Sequence, residues 1–578
     1  MKMRTTGVAV AAAAALLLAA CAPGGAAGNP TDAPADGSAA PVPGQVTGDL
    51  NTVNTAEVEP GGEITMAIEK TIQNWNTLSA AGDISEAVWV TGLLYPSAFV
   101  IQPDGSTLEM NEALLESAEV VSQDPTVVEY VINEDAVWSD GVPITGDDFI
   151  LQWQMLNGRD CPECAAGRSD GLDKVETLEQ SEDGRTVTAT FSANFSEWQR
   201  GFNRLLPAHL AEENGGLYES FSDYFVNTVP VFSGGPYIIT DFQPGIQIVL
   251  EQNPEWYGDA PNLEKVTFSM ITDSQQTPIA MQNGEIDVMY PQPQVDLLQQ
   301  VQGMTQQGVS FQMNQSLVME ALVFNHSNSF LSDLPLRQAI ATAIDKQSVI
   351  DRTVGQFDES VTPLGNGMIM QQQTGYENHS DALNYGLGDT AAAEAILTDA
   401  GYTITDGQLF TPDGEAVPAL RAVYSVGNAV RESAMQVIQT AVQPLGISLA
   451  LETTDSLGDT MSNIEPYGHD IVLVGYTGSP FIASNAHDRY TSGTGDNPHY
   501  SSAEVDGLVD QALAAESQEE AIDFINQADE VFVHDLLLLP MYQKSTLIAY
   551  PSDLGNIRDN PTLSGPLYNL HEWGFTGE

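Results

Sequence analysis

AVWSDGVPITGDDF, residues 136–149, packs a turn, a bend and a helix start into one short stretch. Asp140-Gly141 reads as a turn, because glycine reaches positive φ freely and aspartate bonds its neighbouring backbone. Pro143 fixes the next bend, and Thr145 is placed to cap a helix beginning at Asp147. The neighbouring acids Asp147 and Asp148 could serve acid–base chemistry, but among 79 acidic residues such pairs arise by chance.

Outward from this stretch, strand and helix patterns alternate. Ile64, Met66 and Ile68 alternate with polar residues, which predicts a half-buried strand. Residues 237–242 and 246–252 flank Gln243-Pro244-Gly245, a turn between two strands. Apolar residues recur at helical spacing from Leu336 to Ile350, with Pro335 suited to a first turn. Asp389 is placed to cap a further helix that Gly401 stops. A third runs from Val430 to Leu445 and leads to a strand near 447–452; helices also fit 503–515 and 518–534. The fold class is α/β with substantial loops.

Residues 1–20 read as a signal peptide: Lys2 and Arg4 precede an apolar run, 8–20, too short to cross a bilayer. Leu18-Ala19-Ala20-Cys21 resembles a bacterial lipobox, making Cys21 the lipidated residue and a lipid anchor the only membrane attachment. Residues 21–60 have almost no large apolar side chain and read as a flexible tether. The body that follows is long enough for two or three lobes. A formal net charge of −61 argues against nucleic acid or anionic lipid as a partner. Cys161 and Cys164 lack further ligands for zinc, so they are expected to form a local disulfide in an exported protein. The scattered histidines give no metal site, and neither metal nor cofactor is expected. No nucleophile elbow, P-loop, H-E-x-x-H or G-x-G-x-x-G pattern occurs, so no catalytic residue is assigned and the protein reads as a non-enzyme.

A series of segments in fixed order carries a resemblance. To AVWSDGVPITGDDF are added SGGPY (233–237), NPEWYG (253–258), PNLEKVTF (261–268), NGEID (283–287), LVFN (322–325), LRQAIATAIDK (336–346), AGY (400–402) and DIVLVGY (470–476). Together they resemble family 5 of the ABC-transporter solute-binding proteins, the oligopeptide- and dipeptide-binding lipoproteins, in their actinobacterial type. The resemblance implies a two-lobed periplasmic-binding-protein-like fold with an accessory subdomain. Lobe I would take residues 61–95, 231–321 and 550–578, the accessory subdomain 96–230, and the distal lobe 322–549. It also implies a monomer on the outer face of the cytoplasmic membrane, passing a peptide or small-molecule ligand to permease and ATPase subunits.

Ligand contacts would come from Asn74, Trp75, Asn76 and Tyr95 in lobe I, and from Gly475, Tyr476, Thr477 and Ser479 in the distal lobe. Asn325, Tyr424, Tyr490 and Tyr500 are further polar or aromatic candidates. Peptide-binding members usually carry an aspartate shortly after that glycine, to pair with the peptide amine. Here no acid follows until Asp488. A buried amine needs a carboxylate partner, so either Asp83 or Glu86 substitutes, or the ligand is not a free-amine peptide. Two alternatives follow: a receptor for an oligosaccharide, metallophore or opine, or a same-fold lipoprotein that acts by interaction in lipoglycan assembly.

Overall fold

A computed structural model describes residues 53–461, 468–492, 500–562 and 564–577. The signal peptide, Cys21 and most of the tether lie outside the described residues. Asn54, Ala56 and Glu59, at the end of the tether segment, hydrogen-bond to Glu572, Asn556 and Phe575, so the folded body reaches back to them.

The opening stretch folds as its residues dictate. Gly141 takes φ +82° and donates to the Trp138 carbonyl. Thr145 caps the helix Gly146–Leu156, and its own N–H donates to the Asp148 carboxylate at 2.8 Å. Asp148 also accepts from Ala208 N at 2.8 Å, tying this helix to the start of Ala208–Glu213. Asp148 is therefore a buried structural acid, and burial pushes its pKa up to about 6.

Three main sheets organise the body. The lobe I sheet runs Glu63–Ile68, Lys265–Met270, Gln247–Gln252, Tyr237–Gln243, with only the first pair parallel. The accessory sheet is antiparallel, in the order Leu115–Gln123, Thr126–Ile132, Thr186–Phe191, Val175–Gln180. The distal sheet runs Leu449–Thr454, Leu420–Ser425, Ile471–Thr477, Gln315–Phe324, Leu538–Ser545. Its first three strands are parallel and the rest antiparallel. The apolar run at the start of Ile471–Thr477 is buried throughout, Ile471 to Val474 all belonging to the distal core.

The cores divide accordingly. Leu336, Ile340 and Ile350 pack with Met319, Leu473 and Phe532 in the distal core. Ile64 and Ile68 pack in a separate core with Val266, which also takes in Tyr130, Trp138 and Phe149 of the accessory subdomain. The chain passes between lobe I and the distal lobe twice. One crossing lies between the strands Val309–Gln312 and Gln315–Phe324, the other between Leu538–Ser545 and Ile548–Pro551. They touch where Thr546 N donates to Asn314 O at 2.8 Å.

One expected helix is two. The 336–350 pattern forms Leu334–Ala343 and Lys346–Arg352, broken because Ile344 is extended and Asp345 caps the second helix through Gln347 N and Ser348 N. The break buries Lys346, whose ammonium donates to Leu364 O at 2.7 Å.

Candidate functional site

The carboxyl end of the first strand leads into residues 69–78, which hold three of the four expected lobe I contacts, Asn74, Trp75 and Asn76; Tyr95, the fourth, follows helix Ser85–Thr91. Trp75, Asn76 and Tyr95 are buried. Trp75 packs edge-on against Phe242, and Tyr95 stacks on Phe232 with its hydroxyl toward Trp75 O. Asn76 donates to Phe221 O and accepts from Leu78 N. These side chains hold the loop in shape from within. Asn74 bonds locally, accepting from Asn76 N and donating to Ser79 Oγ.

The two substitute acids fare differently. Asp83 is taken by Arg168 at 2.5 Å and Arg204 at 3.2 Å. Glu86 is buried 3.5 Å from Lys70, and its charge adds to burial in raising the pKa of Glu69.

On the distal side, the strand Ile471–Thr477 alternates faces. Tyr476 turns inward, edge-on to Tyr490 and under the Arg489 guanidinium. Tyr424, Tyr490, Tyr500 and Asn325 are likewise buried, the last donating to His469 O. Gly475 is half-buried, Thr477 exposed, and Ser479 accepts from Phe481 N.

Gly475 pairs in register with Glu320 on the neighbouring strand, so the two share a face. Glu320 is 1% exposed. Arg431, in the first turn of Ala429–Val442, donates to it through Nε at 2.5 Å and Nη2 at 3.3 Å; Lys544 Nζ lies 2.9 Å away. Burial alone would raise the Glu320 pKa, but Lys544 and Arg431 outweigh it and hold the carboxylate below its ordinary value. Two cations on one anion leave a surplus positive charge beside Gly475. The signal was legible, since Glu320 is the one charge in the strand QSLVMEALVF. Its partners come from distant segments and were not.

A second cluster clasps the accessory subdomain to the distal lobe. Glu197 accepts from Ala483 N and Ser484 N at 2.8 and 2.9 Å, at the start of helix Ile482–Tyr490. Ser196 N donates to Leu513 O, Arg200 pairs with Asp488, and Gln373 bonds both Gly105 O and Ser479 O. Ion pairs continue from Arg200 through Asp170 and Arg204 to Asp83 in lobe I. None of these residues had been singled out for this role. Cys161 and Cys164 are disulfide-bonded with Cα atoms 5.3 Å apart. Among the described residues no cluster of three or more metal-ligating side chains occurs, and no helix is long and apolar enough to cross a membrane.

Comparison with known proteins agrees with this architecture. The family model for bacterial extracellular solute-binding proteins, family 5 (middle), matches residues 109–498. The oligopeptide-binding protein OppA of Mycobacterium tuberculosis is 28% identical over 517 residues, covering 88% of this chain and 84% of its own. Among solved structures, the periplasmic EDTA-binding protein EppA superposes with a TM-score of 0.87 at 40% identity, covering 92% of this chain and 99% of its own. The oligopeptide-binding protein AppA of Bacillus subtilis, in complex with a nonapeptide, gives 0.72 at 19% identity over 90% and 100% of the two chains, a likeness of fold. With three sheets, two crossings and a family match over most of its length, this chain belongs to family 5 of the bacterial extracellular solute-binding proteins.

Proposed function

We propose that this chain is the solute receptor of an ABC importer, tethered through a lipid on Cys21 outside the cytoplasmic membrane. It captures a small ligand between lobe I and the distal lobe and delivers it to a permease. The observation that carries the reading is the pair of crossings near Asn314 and Thr546, which lets two separately packed lobes close about one hinge. Strand carboxyl ends from both lobes lead into the candidate loops at 69–78 and 475–479, the usual position of a ligand in open α/β sheets.

The first ligand reading is a peptide or peptide-like solute, supported by the OppA relationship. A second reading, a metal-chelating polycarboxylate, is favoured by a specific observation. The loop after Gly475 has no acid for a peptide amine, and cations lie beside that glycine instead. The higher identity to an EDTA-binding protein supports the same reading. Calorimetric titration with short peptides and with nickel–EDTA separates the two. Binding by neither, together with no binding from a wider solute screen, would contradict the receptor reading. Anchoring is tested separately: Cys21→Ser should release the protein into the medium or leave it as an unprocessed precursor, and a substituted protein that partitions into detergent as the original does would contradict the lipid anchor.

A further inference from the structure

Gly475 is not a glycine for its backbone's sake. Its φ lies outside the left-handed region, so an L side chain fits the local conformation. What a side chain would meet is charge. A Cβ there would stand 3.3 Å from Arg431 Nη2 and 3.4 Å from Lys544 Nζ, with Val318 Cγ1 at 3.4 Å. A side chain at 475 would press on both cations, and the glycine leaves that side of them uncovered.

Those cations are not used up by Glu320. Hydrogen bonds to Glu320 and Ser425 account for three of the five guanidinium N–H groups of Arg431. Lys544 has three donors, stands against Glu320 at one place, and is partly exposed. One cation would suffice to neutralise Glu320. The second is an expense in a chain with only 18 lysines and arginines against 79 acids, and both lie beside Gly475, near the carboxyl end of the strand that leads into the candidate ligand loop.

We infer that the uncovered side at Gly475 is a carboxylate-binding subsite, in which Arg431 and Lys544, held in place by Glu320, receive a carboxylate of the ligand. This rests on the receptor reading above and adds the chemistry of one ligand group and the residues that read it. Both ligand readings present that chemistry: a peptide through its terminal carboxylate, a chelate through its acetate arms. A guanidinium and an ammonium converging on one oxygen pair give charge-assisted bonds, stronger than neutral ones. The inversion relative to peptide-binding members follows: positive charge stands near the glycine where those members place an aspartate.

The test uses the full chain and two matched probe pairs, trialanine against trialanine amide, and nickel–EDTA against nickel–triethylenetetramine. The carboxylate member of at least one pair should bind wild type, with its carboxylate-free partner weaker by roughly 10- to 100-fold. Lys544→Gln and Gly475→Ala should each weaken that member by a similar factor while Lys544→Arg retains it. Thermal melting should move little, and the effect of Lys544→Gln should shrink at high salt. Which pair responds identifies the source of the carboxylate. Equal binding within a pair, or Lys544→Gln binding as wild type does, would overturn the subsite. Binding of neither carboxylate probe would overturn it too. If a neutral solute then compacts the protein, the receptor reading survives that failure; if nothing does, both fall.

Discussion

Single residues in this chain do chemistry that their neighbours in sequence do not announce. Lys346 is the clearest case. Burial pushes its pKa down to about 7, against the opposing pull of Asp381 and Asp529. Its folded pKa lies below its unfolded one, so between about pH 7 and 10 the unfolded chain binds more protons and this lysine makes stability rise with pH. Lys346→Met should remove that rise, a difference on the order of 1 kcal/mol per pH unit across the window, read from denaturant melts at pH 7, 8 and 9. Parallel curves for both proteins would show that Lys346 is not buried in solution. Asp148 offers a second test. Its carboxylate satisfies two N–H groups of separate helices, so Asp148→Ala should cost about 2–4 kcal/mol. A loss below 1 kcal/mol would mean that water replaces it. Turn and cap residues were the legible ones. Gly141, Thr145, Asp389 and Gly401 each act within a few positions of themselves, and each does what local chemistry predicts. Trp75, Tyr95 and Tyr476 are buried, and their burial was not legible, because aromatic residues near a cleft and aromatic residues under it have the same sequence pattern.

At the level of elements, the pattern from Leu336 to Ile350 kept helical period across a real break. Periodicity records which residues face the core, and both short helices contribute to the same core; the interruption is carried by extended Ile344 and the Asp345 cap. Helix Ile482–Tyr490 shows the reverse. Its first N–H groups are satisfied from another subdomain, by Glu197, and no local residue signals that. The helix follows directly on the 475–479 loop, so its anchoring bears on the candidate site. Glu197→Ala should speed hydrogen exchange of the Ala483 and Ser484 amides by tenfold or more, consistent with loss of charge-assisted bonds, while strand Leu449–Thr454 stays protected. Unchanged exchange at those two amides would show that the clasp does not persist in solution.

For the whole molecule, the ordered segments identified the scaffold; Leu336 and Ile64 belong to different clusters of buried apolar residues. The contacts that join the parts were not. The ion-pair path from Asp83 through Arg204, Asp170 and Arg200 to Asp488 links residues up to 405 positions apart, and no local pattern encodes such pairings. That path gives the two lobes a second connection besides the hinge, through the accessory subdomain. A ligand shifts the open–closed balance only by its difference in affinity for the two forms, so closure is the physical signature of a receptor. Small-angle scattering of the full body, titrated with nickel–EDTA and with trialanine, therefore tests the central claim most directly. The account predicts that at least one of them lowers the radius of gyration saturably, with a midpoint matching its calorimetric affinity. Tight binding with no change in radius at any concentration would contradict capture by closure of the lobes.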